Sequence, residues 1–496
     1  MFKVWRISNI HNSTNHKLLK NIRNMTYKGF ISPEKVVAPV NRNPKSLDRD
    51  SFTSSFDVWT VLFPEVAQMG KFVKQFKKDT VQINRLPFLF KLTESEHNLT
   101  QLPQNPQFKA IALNYKIQAF EDIDRILSPP ALEFIKENGG QFYKHRFELG
   151  YDFWKPEEIL QSVLPENLLS EAPSSFTKTG HIAHLNLRDE YKPYDNIIGQ
   201  VILDKNPCIK TVVDKMQSID TQFRTFQMRV IAGENNLQVE HREGGCVFNF
   251  DFSKVYWNSR LSTEHSRLVN LFKADEAICD VMAGVGPFAI PQAKKNSIVF
   301  ANDLNPEGYK YLTSNVKKNK VEKFVTCFNK DGRQLIKESP RLLLDYARRE
   351  DHIEVMTVNH KGAKKHRIDK INIPYFFSHY IMNLPDSAMT FVNSYIGLYT
   401  NFEPELSKDE VKQLAGYKLP TIHVHHFEKF SSTEQPAPSD EELKHRAHLK
   451  VVSQLEYDIP YEDLSFHYVR LVAPTKPMFC ISFTLPEEVA FRKKQT

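Results

Sequence analysis

The stretch that decides the fold runs Asp280-Val281-Met282-Ala283-Gly284-Val285-Gly286-Pro287-Phe288 and is followed by Ile298-Val299-Phe300-Ala301-Asn302-Asp303-Leu304. The first string closes an apolar segment of buried-strand type on small residues and then opens a helix. Small residues at such a turn let the backbone approach a ligand, and the helix start offers unpaired N–H groups. The second string is another apolar strand, ending on an acid, Asp303. A third, FVTCFNKDG, ends on Asp331-Gly332, and the helix-type segments GPFAIPQAKK, NPEGYKYLTSNVKKN and RQLIKES follow the three strands in turn. Strands alternating with helices at this spacing predict an α/β domain with a parallel sheet from about residue 277.

Three strand tips along one sheet edge then carry groups suited to a nucleoside. These are the small-residue turn at Gly284, a carboxylate at Asp303 for ribose hydroxyls, and an acceptor at Asp331 for an adenine amino group. Each has a plain rival when taken singly. A GxG turn serves packing in many α/β domains, and Asp331 suits a helix N-cap before Arg333. A pyrophosphate would call for the full GxGxxG turn; Pro287 and Phe288 stand in its place. S-adenosylmethionine, which has no pyrophosphate, therefore fits better than a nicotinamide cofactor. A fourth tip, Asn383-Leu384-Pro385-Asp386, sets two hydrogen-bond acceptors in a rigid geometry, as amino-methyltransferases do to hold a planar amine or amide. An ordinary β-to-α turn is its rival.

The 496 residues suggest about three domains. With 41% hydrophobic and 25% charged residues the chain can bury a sizeable core. A net charge of +7, from 66 Lys and Arg against 59 Asp and Glu, permits a polyanionic partner without demanding one. No run of uncharged apolar residues is long enough to span a bilayer. The five cysteines include no CxxC pair, which argues for a reducing compartment and against both a disulfide framework and a zinc site. Residues 1–33 hold Lys3, Arg6, Lys17, Lys20, Arg23 and Lys28 and no acid, the composition of a mitochondrial presequence; a basic tail that grips RNA is the rival. Met25 offers a second start, so two products are expected, one in the mitochondrial matrix and one in the cytoplasm and nucleus.

Residues 34–110 carry no evident chemistry. A helical pattern is expected over about 117–170, then a β-rich stretch through HIAHLNLR, NIIGQVILDK, TVVDKM and MRVIAGENN. Residues 350–371 and 431–442 read as polar surface insertions, and strands return at HYIMNLPDSAMTFV, TIHVHHFEKF and VRLVAPTKPMFCISFTL.

Seven strings resemble one family, the eukaryotic and archaeal tRNA (guanine-37-N1)-methyltransferases. They are HIAHLNLR (181–188), IIGQVILDKN (197–206), FDFSKVYWNSRLSTEH (250–265), CDVMAGVGPFAIP (279–291), ANDLNPEGYKYL (301–312), MNLPDSA (382–388) and VAPTKPMFC (472–480). The resemblance implies a Rossmann-like class I methyltransferase domain over 263–490. An α+β domain carrying the NLR motif (151–262) and a smaller N-terminal tRNA-binding domain (34–150) would precede it. It further implies methylation of N1 of guanosine 37 in cytoplasmic and mitochondrial tRNAs, the first step towards wybutosine in tRNA-Phe. S-adenosylmethionine would be the donor and no metal would take part. A monomer would hold the tRNA at its anticodon loop and outer corner.

Guanine N1 keeps its proton at neutral pH, so a base must remove it while a cation meets the charge moving onto O6. By resemblance Glu264 is that base and Arg188 that cation, while Asn383 and Pro385 position the base edge and border the donor. His265, Gly284, Asp303, Leu304, Asp331, Gly332 and Asn383 are assigned to the donor. On the residues alone, Glu264 equally suits a carboxylate paired with Arg260 or Arg267, Arg188 a phosphate clamp, and His265 a packing histidine. Tyr256 and Trp257 suit stacking on the target base or the core. His423, His425 and His426 lack the ligand spacing of a zinc site. The nearest rival function is aminocarboxypropyl transfer in wybutosine synthesis; a non-catalytic tRNA-binding protein is another.

Overall fold

The computed structural model describes residues 4–6, 31, 33, 36–93, 109–173, 175–219, 223, 225–358, 366–402 and 405–493. The leader expected over 1–33 falls almost wholly outside these residues. The backbone divides into two compact units, Met1–Ser174 with Asp189–Lys205, and Ser175–Arg188 with Asn206–Thr496.

The first unit is built on an antiparallel sheet in the order Val4–Arg6, Gln141–Leu149, Ser54–Leu62, Lys109–Ala112, Leu89–Lys91. Helices Val66–Gln75 and Pro129–Glu137 close its core through Phe63, Phe72, Phe134 and Ile135. Two expectations are corrected here. Gln141–Leu149 is a strand and not part of a helical run. The preceding helix stops at Gly139, whose φ is 65°, and at Gly140, where a Cβ would lie 2.7 Å from Ile135 Cγ2. The NIIGQVILDK string, expected as a strand, lies in helix Asp195–Lys205 and buries Ile197, Ile198, Val201 and Ile202, a helical face. Short apolar runs do not distinguish the two periods. This helix packs on Pro156–Val163, so residues 151–163 belong with the first unit.

The second unit carries a seven-stranded sheet: β1 (Ala277–Asp280), β2 (Ile298–Asn302), β3 (Val325–Phe328), β4 (Phe377–Met382), β5 (Thr421–Phe427), β6 (Leu464–Ala473) and β7 (Lys476–Thr484). The order is β3-β2-β1-β4-β5-β7-β6; β1 to β5 run parallel, and β7 is antiparallel to both neighbours. Every residue of β1 and β2 is buried, as expected where helices cover both faces of a parallel sheet. Helix α1 (Ser262–Leu271) precedes β1, while α2 (Pro306–Lys318) and α3 (Gly332–Glu350) follow β2 and β3. α3 inserts Leu335, Ile336, Leu343 and Leu344 into the core, and α4 (Asp440–Leu455) adds Leu443, Ala447, Val451 and Leu455 at four-residue spacing. The strand order reverses between β1 and β4. That switch point opens a crevice at the carboxyl ends of the strands.

Three smaller sheets accompany the main sheet among the described residues. Four strands, Thr177–Thr179, Ile182–Leu185, Thr211–Ile219 and Phe226–Gly233, form one. A hairpin, Gln238–Glu243 with Cys246–Asp251, turns at Gly244 and Gly245, both with positive φ. The 350–371 insertion also contains a hairpin: His352–Val358 pairs with His366–Asn372 and, among the described residues, with no strand of the main sheet.

Asn315 of α2, fully buried, anchors the first hairpin. Its Oδ1 accepts the Asn249 N–H at 2.8 Å, and its Nδ2 donates to the Val285 carbonyl at 3.2 Å. It thereby ties the hairpin to the turn after β1. Asn315→Leu leaves that N–H and that carbonyl without partners, at about 1–3 kcal/mol each, so thermal unfolding should fall by several degrees. Asn315→Asp, which keeps the acceptor, should lose less.

Candidate active site

The turn after β1 places Gly284 at φ 55°, where a side chain would be strained and where no atom lies within 4 Å of a Cβ position. Asp303, just beyond β2, holds this turn. Its Oδ2 accepts the Gly284 N–H at 2.8 Å and its Oδ1 the Asn305 N–H at 2.9 Å. Asn302 ties in the third turn, donating to the carbonyls of Val281 and Lys330 at 3.0 Å each and accepting the Lys330 N–H at 2.9 Å. Asp331 caps α3 through the Arg333 N–H at 2.8 Å. Two glycines let backbone come close: a Cβ on Gly308 would lie 2.7 Å from Asp303 Oδ1, and one on Gly332 2.9 Å from Val281 Cγ1.

These turns wall a cavity of about 480 Å³, a size usual for small-molecule sites. Gly284, Asp303, Leu304, Asp331, Gly332, Asn383 and Pro385 all line it, as do Tyr256, Asn302, Gly308, Asp386, Phe391 and Phe427. Asn383 Oδ1 is a buried acceptor without a partner in this wall. Phe391 forms an apolar side, backed by the Arg333 guanidinium 3.8 Å from its ring centroid. Burial pushes the Asp303 carboxyl up to about 6. Asp280, wholly buried at the tip of β1, is pushed by burial and by Asp303 up to about 8, so it is mostly protonated at neutral pH. Tyr256 is 45% exposed at the cavity, whereas Trp257 is buried and stacks on Phe250.

Three expected site residues lie outside this lining. Glu264, in the first turn of α1, is buried; its oxygens accept from Arg267 Nε at 2.7 Å and Nη2 at 2.8 Å, and Oε1 pairs with His425 Nε2 at 2.8 Å. Burial opposes its charge, yet the Arg267 and His425 hydrogen bonds prevail and draw its carboxyl down to about 2. Against the effect of its own burial, His425 is raised by the neighbouring Cys480 and then by Glu264. His425 stands one residue past the Met382–Val424 pair, at the level of Asn383 just beyond β4, and neither it nor Glu264 is among the residues that line the cavity. His265 is buried too, its Nδ1 2.6 Å from Glu243 Oε1 and its ring edge-on to Phe288, beside a separate small cavity. Arg188 is exposed, next to Leu187, whose N–H donates to buried Asp214 at 2.9 Å.

The histidine cluster separates. His423 meets His379 and Ser482, His425 meets Glu264, and His426 meets Glu428 and Lys450. Possible ligand atoms of Glu264, His425 and Cys480 lie within 4.8 Å of one another, a grouping that sequence spacing did not reveal. The donor set does not fit a metal, because the Arg267 guanidinium already occupies both carboxylate oxygens and a second cation would meet its charge.

Residues 239–361 match the TRM5/TYW2 methyltransferase domain, and residues 157–236 the TYW2 N-terminal domain. A Candida albicans protein named tRNA (guanine(37)-N(1))-methyltransferase is 45% identical over 468 residues, 92% of this chain and 99% of its own. The Saccharomyces cerevisiae protein of the same name is 45% identical over 481 residues, 91% of this chain and 94% of its own. The chain belongs to the tRNA (guanine(37)-N(1))-methyltransferase family. Among solved structures, Trm5b from Pyrococcus abyssi aligns with a TM-score of 0.51 at 22% identity, over 86% of this chain and 98% of that one. At that identity the likeness speaks for the shared fold.

In this member of the tRNA (guanine(37)-N(1))-methyltransferase family the Glu264 cluster also bears on stability. Arg267→Met leaves a buried carboxylate short of its strongest partner. The expected cost is about 3 kcal/mol, the low end for breaking a buried pair, because the arginine side chain is 28% exposed. The carboxyl is drawn from 4.5 to about 2 on folding, so the stability its charge lends is complete above pH 4.5 and lost as pH falls towards 2. In the variant the folded carboxyl lies nearer its unfolded value, so the loss should be smaller and be over at a higher pH, which urea unfolding between pH 2 and 6 will read.

Proposed function

We propose that this chain transfers a methyl group from S-adenosylmethionine to N1 of guanosine 37 in tRNA. The observation that carries the reading is the cavity at the strand-order reversal, where Asp303, Asp331-Gly332 and the unmet Asn383 acceptor converge. Relatives of that name matching nine-tenths of the chain support it.

The residues present fit a nucleoside donor. Asp303 offers a carboxylate for ribose hydroxyls, Asp331-Gly332 an acceptor and close backbone for adenine, and Leu304 and Phe391 apolar faces for its ring. The Gly284 turn leaves open space for the methionine part. When bound, S-adenosylmethionine supplies an electrophilic methyl group on a charged sulfur. The donor set leaves out His265, whose ring nitrogen is engaged by Glu243.

Asn383 and Pro385 are proposed to hold the guanine edge, with Tyr256 as a stacking surface for a base turned out of its loop. Glu264 is proposed to take the N1 proton and Arg188 to face O6. As held, Glu264 is too weak a base, since the Arg267 charge stabilises its ionised form. Exchanging Arg267 for the guanine edge would raise its affinity for a proton. Aminocarboxypropyl transfer, which needs no N1 deprotonation, is not favoured, nor is a protein without catalysis.

The first unit is proposed to touch the outer corner of the tRNA and the second its anticodon loop, with the enzyme acting as a monomer. Residues 1–33 are proposed as a mitochondrial leader and a start at Met25 as the source of a cytoplasmic and nuclear form. A fluorescent protein fused after residue 35 should enter mitochondria, and a diffuse signal would end that idea.

With labelled donor and an unmodified tRNA bearing guanosine 37, digestion should yield 1-methylguanosine from that position alone. Glu264→Gln should slow single-turnover transfer by about 10²–10⁴ with tRNA affinity nearly kept. An unchanged rate would remove the proton-acceptor role. Arg188→Ala should lose rate if it meets O6 and affinity if it holds phosphate.

A further inference from the structure

We infer that Lys429 and Lys476 form a phosphate-binding pair at the edge of the cavity, gripping the RNA backbone beside the nucleotide that enters it. This rests on the reading of the chain as a tRNA methyltransferase. Asp386 lines the cavity and its side chain is 38% exposed, so it marks a solvent-facing edge of the wall. Lys429 Nζ lies 3.0 Å from Asp386 Oδ1, and Lys476 Nζ lies 3.7 Å from the same oxygen. Lys476 Nζ is also 4.1 Å from the ring centroid of Phe427, itself a cavity residue.

The two lysines are held on paired backbone. Lys429 follows β5 and Lys476 opens β7, and the chains stay joined there. The Glu428 N–H donates to the Pro477 carbonyl at 3.1 Å and the Phe430 N–H to the Thr475 carbonyl at 3.2 Å. Two ammonium groups share this one carboxylate oxygen. The neighbouring acid, Glu428, is buried and bound to Lys450 and His426. Surface ion pairs of this kind are worth about 0–1 kcal/mol, so both ammonium groups can turn to a phosphate at little cost.

The chemistry of the substrate supplies the ligand. A base delivered into the cavity must leave the stack of its loop, and its flanking phosphodiesters then lie at the cavity edge. Lysine binds such phosphates as a point charge without reading sequence. The β6–β7 hairpin that carries Lys476 also exposes Tyr468, Leu471 and Val472, by 46%, 49% and 45%, an apolar flank of the kind unstacked bases cover.

The test measures dissociation of unmodified tRNA across salt concentrations, with S-adenosylhomocysteine titrated by calorimetry to verify an intact cavity. A Lys429→Ala/Lys476→Ala double variant should bind tRNA more weakly. Its plot of log affinity against log salt should be shallower by about 1.4, at about 0.7 for each single-stranded phosphate that a lysine no longer meets. The kinetic effect should sit in KM for tRNA. Asp386→Asn removes the negative charge that both lysines face and should act oppositely, tightening tRNA binding and steepening the slope. A double variant with wild-type slope and affinity, or weaker tRNA binding by Asp386→Asn, would overturn the pair while the wild-type enzyme still methylates guanosine 37. Failure of the wild-type enzyme to methylate would instead overturn the reading on which the pair rests.

Discussion

Two backbone amides, from Gly284 and Asn305, converge on the carboxylate of Asp303, and the cavity depends on that convergence. The sheet alone sets strand ends side by side; it does not shape the turns beyond them. Asp303 fixes the turns after β1 and β2, and the neighbouring Asn302 reaches the turn after β3 with two hydrogen bonds and that after β1 with a third. The walls are therefore largely backbone, brought close by glycines at 308 and 332. The cost is two acids buried near each other, Asp280 and Asp303, both disfavoured as anions. Hydroxyl donors arriving at Asp303 would offset part of that cost.

A parallel sheet with a site at its strand tips was legible in the sequence because each tip announces itself locally: apolar run, small or acidic residue, helix start. Asp303, Asp331 and Asn383 could thus be read one at a time and then combined. What escaped depends on partners distant in the chain. Phe391 gains its role from Arg333, 57 residues from its neighbour Thr390, and Phe427 from the pairing of β5 beside β4. Elements were misread where apolar runs were short, as at Gln141–Leu149 and Asp195–Lys205. Glu264 illustrates both halves. Its pairing with Arg267 at helical spacing was visible as one alternative, but its second partner, His425, lies 161 residues away.

That second partner creates a tension between folding and chemistry. The carboxylate proposed to accept a proton is one the fold disinclines to do so, since Arg267 and His425 both favour its charged form. A buried carboxylate without them would be costly. His467, half-exposed with Nε2 3.6 Å from Glu264 Oε2, is the neighbour nearest to solvent. The cluster is thus a compromise: it keeps a buried anion whose basicity is set by which cations remain beside it.

The ribbon formed by His352–Val358 and His366–Asn372 interrupts the connection from α3 to β4 and, among the described residues, joins no ladder of the main sheet. Its length is therefore decoupled from the register of the strands that carry the site. Such a self-paired excursion is a natural splice point: a fluorophore or affinity handle grafted between its two strands would leave every residue of the crevice in register.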